Sequence, residues 1–126
     1  PFFSTNEEEW NHFFEINLKA PFFLSQSVAK NMKQRGEGKI INLVDVSVDR
    51  PWVEFLPYCT SKAGLCSLTK GLARTLAPEI QVNAIAPGTI LNPPNHSEMD
   101  IISSVENNPK PSISDSLIVR HSGNGL

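Results

Sequence analysis

The sequence is short of the features that would place it in several common classes of protein. No apolar run approaches the roughly 18 to 20 residues that a membrane-spanning helix requires. Lys and Arg number 11 against 13 Asp and Glu, so the basic excess typical of nucleic-acid binding is missing. Two cysteines, Cys59 and Cys66, are too few for a disulfide scaffold. They favour a reduced, cytoplasmic location, and the first residues resemble neither a signal nor a transit peptide.

No spacing of histidines and cysteines predicts a metal site. His12, His96 and His121 have no partners at ligand spacing, and Cys66 is interpreted as a small core residue. The 126 residues, 40% of them hydrophobic, have the composition of one globular domain. The sequence begins at Pro1 rather than at methionine, however, and we therefore interpret it as a piece of a longer chain.

A long first helix is predicted over residues 6–34. Thr5 and Glu8 have the spacing of a capping box, and the acidic first turn suits the positive end of the helix dipole. Pro21 lies inside this helix and predicts a kink or an early break. Gly36 ends it.

Two short apolar runs and a second helix follow. Lys39–Asp45 is apolar on both faces, which is typical of a strand buried in a parallel sheet. A helix is predicted from residue 57 or 58 to Leu76, and a second strand over Ile80–Ala86. The alternation of helices and strands with short links predicts an α/β fold with a parallel sheet. The candidate core positions of the second helix are Ala63, Cys66, Leu72 and Leu76.

The character of the sequence changes after Gly88. Of the 38 residues from Thr89 to the end, 18 are Ser, Asn, Pro or Gly, and only Ser116–Val119 resembles a strand. We therefore divide the chain into an α/β part, residues 1–90, and a tail of residues 91–126 that is largely loop.

Tyr58 and Lys62 form the most suggestive pair of side chains. Four residues apart on a helix, they share one face. A phenol has an ordinary pKa of about 10, and a neighbouring ammonium group stabilises the phenolate and lowers that pKa. Taken alone, the pair favours incidental packing of an exposed tyrosine and lysine, because this spacing arises often by chance.

Two further segments carry polar or turn residues in apolar surroundings. Asn17 interrupts an apolar stretch of the first helix, where its amide either caps a backbone group or serves a site. Pro87 and Gly88 end the second strand; they form a turn, and they also allow close approach of the backbone to a ligand.

Taken together, the segments EEEWNHFFEINLKAPFFLSQ, GKIINLVDVS, YCTSKAGL and VNAIAPGTI resemble the short-chain dehydrogenase/reductase family over residues 1–90. The resemblance implies a Rossmann-like, doubly wound, three-layer α/β/α fold and an NAD(P) cofactor. It implies that Tyr58 is the catalytic acid/base and that Lys62 lowers its pKa and hydrogen-bonds the nicotinamide ribose. Asn17 would hold a water of a proton relay through Lys62. The backbone of Pro87, Gly88, Thr89 and Ile90 would meet the nicotinamide carboxamide.

Asp45 departs from the commonest family pattern. It stands 13 residues before Tyr58, where the family usually has serine. This replacement resembles the pteridine reductase branch, including dihydromonapterin-reductase-like members, and implies a pterin substrate and NADPH. Two alternatives stay open at this point: an ordinary carbonyl or alcohol substrate, and a damaged site in which Asp45 merely replaces serine or Ser47 is recruited by a loop shift.

The glycine-rich turn that holds the dinucleotide pyrophosphate is not recognisable. Gly36 and Gly38 precede a strand rather than open a helix. We therefore expect a partial Rossmann-like sheet without the N-terminal glycine-rich βαβ half, and weak or absent dinucleotide binding by the isolated chain. Two hypotheses follow. The chain is the catalytic part of an NAD(P)-dependent reductase, or it is an inactive remnant that forms a homo-oligomer through helices 6–34 and 58–76.

Overall fold

The computed structural model describes residues 1–87. Its main elements, in chain order, are α1 (Glu7–Phe14), a π-helical segment (Glu15–Lys19), α2 (Ala20–Arg35), β1 (Gly38–Leu43), α3 (Leu56–Leu76) and β2 (Ile80–Ile85). The loop between β1 and α3 carries two short 3-10 turns, Val46–Val48 and Val53–Phe55. The strand-like run Ser116–Val119, and the whole tail of residues 91–126, lie outside the described residues.

Helix α1 begins one residue later than the capping box predicts. Asn6 is the N-cap, and its Oδ1 accepts from the backbone N–H of Glu9 at 2.8 Å. Thr5 instead donates its hydroxyl to the carbonyl of Pro1. The shift arises because three consecutive glutamates place an acidic side chain three residues after either candidate cap.

The first long helix is interrupted by the π-helical segment rather than kinked at Pro21. Pro21 lies in the first turn of α2, a position that tolerates a residue without a backbone N–H. The π turn just before it absorbs the break in hydrogen bonding and is the kind of bulge found at functional sites. Gly36, with φ 77°, ends α2 in the left-handed region.

β1 and β2 form a parallel pair, with Gly38 opposite Ile80 and Leu43 opposite Ile85. Helix α3 connects them and packs on one face of the pair, where Val82 and Ala84 are buried. The fold is therefore α/β with a parallel sheet, as predicted.

The expectation that β1 is buried on both faces is wrong for the described part of the chain. Ile41 is 58% exposed and Leu43 is 60% exposed, and Ile85 lies beside them on the same outer face. Residues 1–87 place helices against the inner face only, so these apolar side chains have no layer above them among the described residues.

The core lies between the inner face of the sheet and helices α2 and α3. It consists of two clusters of buried residues. One is formed by Ala29, Ala73, Ile80 and Val82, and the other by Val44, Leu65, Cys66 and Ala84. Among the predicted core positions, Cys66 is fully buried, whereas Leu72 and Leu76 are partly buried at the edge of the first cluster and Ala63 is half-buried. Cys66 is thus a structural residue, and both cysteines are free.

None of the described helices combines the length and the hydropathy needed to cross a membrane.

Candidate active site

The candidate site lies at the carboxyl edge of the parallel pair. Val44 continues β1 by donating its N–H to the carbonyl of Ile85 at 2.9 Å, and Asp45 is the next residue. Pro57 begins α3 in its first turn, so Tyr58 and Lys62 stand on the first two turns of that helix. In parallel α/β sheets this edge is where ligands bind.

Asp45 and Tyr58 are joined directly. The Tyr58 hydroxyl donates to Asp45 Oδ2 at 3.0 Å, while Asp45 Oδ1 accepts from the backbone N–H of Ser47 at 2.8 Å. Each carboxylate oxygen therefore has its own donor, and the carboxylate is held in one orientation. The spacing of 13 residues is what allows the loop to bring these two side chains together.

Lys62 lies on the same side of α3 as Tyr58. Its Nζ is 5.8 Å from the centre of the Tyr58 ring and donates to the carbonyl of Leu43 at 2.9 Å. An ammonium group has three donors, so two remain for other partners. Burial lowers the pKa of Lys62, and the charge of Asp45 acts in the opposite direction.

The pKa of Tyr58 is displaced upward, opposite to the direction expected from its pairing with Lys62. Burial, the hydrogen bond to Asp45 and the charge of Asp45, in that order, raise it to about 12. The carboxylate lies in direct contact with the phenol, whereas the ammonium group of Lys62 makes its hydrogen bond to a backbone carbonyl. In this structure Tyr58 is therefore an un-ionised phenol at neutral pH.

Aromatic side chains hold the Tyr58 ring on two sides. Phe13 meets it edge-on at 5.8 Å between ring centres, and Trp52 lies parallel to it, with 6.1 Å between centres and an interplanar angle of 5°. The buried Cys59 thiol anchors the backbone of Trp52, since it accepts from the backbone N–H of Trp52 at 3.3 Å and donates to the backbone carbonyl of Trp52 at 3.9 Å. Trp52 is 41% exposed as a residue and so forms an accessible wall of the site.

Asn17 joins the site through α3. It lies in the π-helical segment and donates its Nδ2 to Ser61 Oγ at 3.0 Å, and Ser61 donates in turn to the Tyr58 carbonyl at 2.7 Å. Its recorded contact is therefore with the residue before Lys62 rather than with Lys62 itself.

The remaining sequence-predicted residues stand apart from this cluster or outside the described part. Ser47, the alternative to Asp45, is buried, and its Oγ has no hydrogen-bond partner among the described residues. Asp45, not Ser47, contacts Tyr58. Pro87 is half-buried, and Gly88, Thr89 and Ile90 lie outside the described residues. Within residues 1–87, no three His, Cys, Asp or Glu side chains are grouped as metal ligands.

Sequence reasoning did not identify Trp52, Ser61, Phe13 or Cys59 as parts of the site. A loop tryptophan has no periodicity to expose its role, and Ser61 acquires its role from a partner 44 residues away. The short separation of Trp52 from Tyr58 was the one available signal.

The donor set partly fits an NAD(P) cofactor. The Tyr58 hydroxyl and the two remaining Lys62 donors suit the hydroxyls of a nicotinamide ribose. The glycines serve other purposes: Gly36 caps α2, and a Cβ on Gly38 would lie 2.7 Å from the Cβ of Met32. Among the described residues, no glycine-rich turn fits a pyrophosphate.

The sequence matches the model of the short chain dehydrogenase family over residues 1–100, and the chain belongs to that family. It is 40% identical over 89 residues to a protein of Rhizobium meliloti (strain 1021) named as a probable galactose dehydrogenase. That match covers 70% of this chain but 35% of the relative. The chain thus spans about a third of the length of the curated relatives it matches.

Solved structures confirm the partial Rossmann-like fold. One is a putative short-chain alcohol dehydrogenase from Sinorhizobium meliloti 1021, with a TM-score of 0.75 and 32% identity, covering 82% of this chain and 43% of that one. Another is the FolM alternative dihydrofolate reductase 1 from Brucella suis in complex with NADP. Its TM-score is 0.73 at 32% identity, covering 82% of this chain and 42% of that one.

Proposed function

We propose that this chain supplies the proton-transfer group of an NAD(P)-dependent reductase, with Tyr58 as the acid/base. The observation that carries the proposal is the hydrogen bond from the Tyr58 hydroxyl to Asp45 at the carboxyl edge of the sheet, with Lys62 on the same helix face. The nicotinamide, when bound, supplies or accepts the hydride. Tyr58 gives a proton to the substrate oxygen or nitrogen, Lys62 binds the ribose, and Asn17 belongs to the proton relay.

Tyr58 carries its proton at neutral pH, as the reductive direction requires. Reduction of a C=O or C=N bond adds a hydride to carbon and a proton to the heteroatom. A phenol whose pKa is raised to about 12 holds its proton at neutral pH and acts as the donor in that step. We therefore propose reduction, with NADPH as the cofactor favoured by the Asp45 pattern.

The substrate class that suits this site best is a pterin. An ionised carboxylate only accepts hydrogen bonds, and a pterin presents ring N–H and amino groups that can donate to Asp45. The Trp52 ring adds a flat, accessible wall beside Tyr58, suited to a planar heterocycle. The relative named as an alternative dihydrofolate reductase supports the same class, because dihydrofolate contains a pterin.

A second candidate class is a carbonyl or alcohol substrate. The relative named as a probable galactose dehydrogenase favours it. Replacing Asp45 with serine distinguishes the two classes. If the substrate is a pterin, Asp45→Ser loses pterin reduction and retains carbonyl reduction; unchanged pterin reduction would count against it.

Tyr58→Phe tests the proton-transfer role. The variant keeps the ring and its packing between Phe13 and Trp52 but loses the hydroxyl, so turnover should be abolished with cofactor affinity nearly unchanged. NADPH oxidation is measured with the 126-residue chain and, if the reading frame extended upstream encodes a glycine-rich βαβ unit, with that longer protein. If the Tyr58→Phe variant of whichever protein is active keeps its full turnover, Tyr58 has no role in the reaction.

The alternative proposal is a non-catalytic, cytoplasmic protein that associates with its own copies through the segments 6–34 and 58–76. Exposed Phe22 and an apolar groove lined by Ala29, Leu72 and Leu76 support it. Sedimentation distinguishes this alternative, because a clean monomer at all concentrations would argue against pairing through these helices.

A further inference from the structure

Ser61 sits between two parts of the candidate site and makes two hydrogen bonds with one hydroxyl. It is 0% exposed, donates to the carbonyl of Tyr58 at 2.7 Å and lies 3.0 Å from Asn17 Nδ2. A hydroxyl has a single proton. Because that proton is given to the Tyr58 carbonyl, Ser61 can only accept from Asn17. The amide of Asn17 must therefore turn its NH₂ toward α3 and its Oδ1 away from Ser61.

The next turn of α3 also packs closely against the π-helical segment. A Cβ on Gly64 would lie 2.9 Å from Leu18 Cδ2, so this glycine allows the π-helical segment to pack directly against α3. Asn17 and Leu18, adjacent in the π turn, thus contact Ser61 and Gly64, three residues apart on one face of α3. The position of Asn17 is set by this contact rather than by its own helix alone.

We propose that Ser61 is a positioning residue of the site: it fixes the amide orientation of Asn17 relative to the first turns of α3, so that Asn17 Oδ1 faces away from Ser61 and is available as a hydrogen-bond acceptor. The functional side of this inference rests on the proposed function, whereas the coupling between Ser61 and Asn17 does not.

The chain contains a matched control for this arrangement. Thr69, 1% exposed and two turns further along α3, donates to the carbonyl of Leu65 at 2.8 Å and accepts from Asn42 Nδ2 at 2.9 Å. This pair ties α3 to β1, and its hydrogen bonds include none to a candidate site residue among residues 1–87. Removing the Thr69 hydroxyl therefore removes the same kind of hydrogen bonds without disturbing Asn17.

The main test is a double-mutant cycle in the full chain. Asn17→Ala should lower the folding equilibrium constant roughly fivefold, the effect of one buried hydrogen bond, and Ser61→Ala should lower it further because it also loses the bond to the Tyr58 carbonyl. The double variant should lose little more than Ser61→Ala alone, giving a coupling factor of roughly five. In the variant that combines Ser61→Ala with Asn42→Ala, the two effects on the folding equilibrium constant should instead multiply, because the two residues share no hydrogen bond. If the effects of Ser61→Ala and Asn17→Ala also multiply in the double variant, the proposal is overturned.

Amide NMR gives a readout that loss of stability alone would not move. The side-chain signals of Asn17 should shift in Ser61→Ala, stay in place in Thr69→Ala, and be restored by Ser61→Thr; unchanged signals in Ser61→Ala refute the proposal. If Ser61→Ala does not fold, hydrogen exchange in the unchanged chain tests the same hydrogen bond. Its Asn17 side-chain protons should exchange with D₂O about tenfold more slowly than those of exposed Asn11. Equal rates would overturn the inference.

Turnover separates this inference from the proposed function. In an active product, Ser61→Ala should lower kcat several-fold with KM little changed, and it should have no added effect when Asn17 is already alanine. If Tyr58→Phe leaves turnover intact, the proposed function fails while the measured coupling between Ser61 and Asn17 still holds. If the cycle multiplies, the positioning role fails whatever Tyr58 does.

Discussion

Replacing Asp45 with asparagine should lower the pKa of Tyr58. The phenol now titrates at about 12, against an ordinary value of 10, and both the hydrogen bond and the charge of Asp45 contribute to that rise after burial. Asparagine keeps the size of the side chain and removes the charge. Burial, the largest cause, persists, so the pKa should fall by about one unit and remain above 10, within the range that one nearby charge produces.

The chain is unusually well suited to this measurement because Tyr58 is its only tyrosine. The near-ultraviolet absorbance of the phenolate therefore reports a single group, and circular dichroism at each pH verifies that the chain is still folded. Asp49→Asn is the matched control, since it makes the same charge change at an exposed position of the same loop. A midpoint that is equal in Asp45→Asn and in the unchanged chain would refute the reasoning. If Asp49→Asn lowers the pKa of Tyr58 equally, the effect is one of overall charge and not of the contact with Asp45.

The sign of the accompanying stability change follows from linkage. A folded-state pKa raised above the unfolded value stabilises the fold below about pH 10, and this contribution is lost as the pH rises toward 12. A pKa difference of about two units between the folded and unfolded states corresponds to about 2.7 kcal/mol without screening. Solvent screening at this half-buried site reduces that contribution to about 1 kcal/mol. The Asp45→Asn chain should therefore lose less stability than the unchanged chain between pH 10 and 12.

Three further outcomes are expected. Gly64→Ala should destabilise the chain by about 1–3 kcal/mol in urea unfolding because its methyl group would collide with the π-helical segment. Gly71→Ala, which meets no atom within 4 Å, should be neutral or stabilising by up to about 1 kcal/mol; equal effects of the two would contradict the close packing. Cys59→Ala should release Trp52, seen as a red shift of its emission in a Trp10→Phe background, and an unchanged spectrum would argue against the thiol anchor. Calorimetric titration of the 126-residue chain with NADPH should show weak or no binding, and micromolar affinity would contradict the need for a glycine-rich turn.

The elements that sequence reasoning predicted well are those with strong local signals. Helix α3 and strand β2 lie within one or two residues of their predicted bounds, because proline and the apolar period mark their ends. The π turn escaped prediction because it is a single turn inside an otherwise continuous helical stretch, and the cap and proline signals mark only the ends of helices. Local sequence did not decide between Thr5 and Asn6 as the cap, since both meet the same spacing rule.

The candidate site shows the same division. The helical spacing of Tyr58 and Lys62 predicted that they share one face, and the family resemblance placed Asp45 in the same site, where the structure joins it to Tyr58. The direction of the Tyr58 pKa was wrong, since the balance between Asp45 and Lys62 depends on which group contacts the phenol. The roles of Trp52 and Ser61 required neighbours in space that no spacing rule supplies.

The hydrogen bonds of the site differ greatly in the length of chain they close, and we therefore expect its parts to open at different rates. The Tyr58–Asp45 bond closes 13 residues, whereas the Asn17–Ser61 bond closes 44 and depends on the docking of the π-helical segment. Local opening of a structure releases its weakly docked segments first. A transient undocking of residues 7–35 would therefore remove Asn17 while the Tyr58–Asp45 pair persists. Hydrogen exchange should resolve two cooperative units, with α3 and the strand pair protected longer than the helices that precede them.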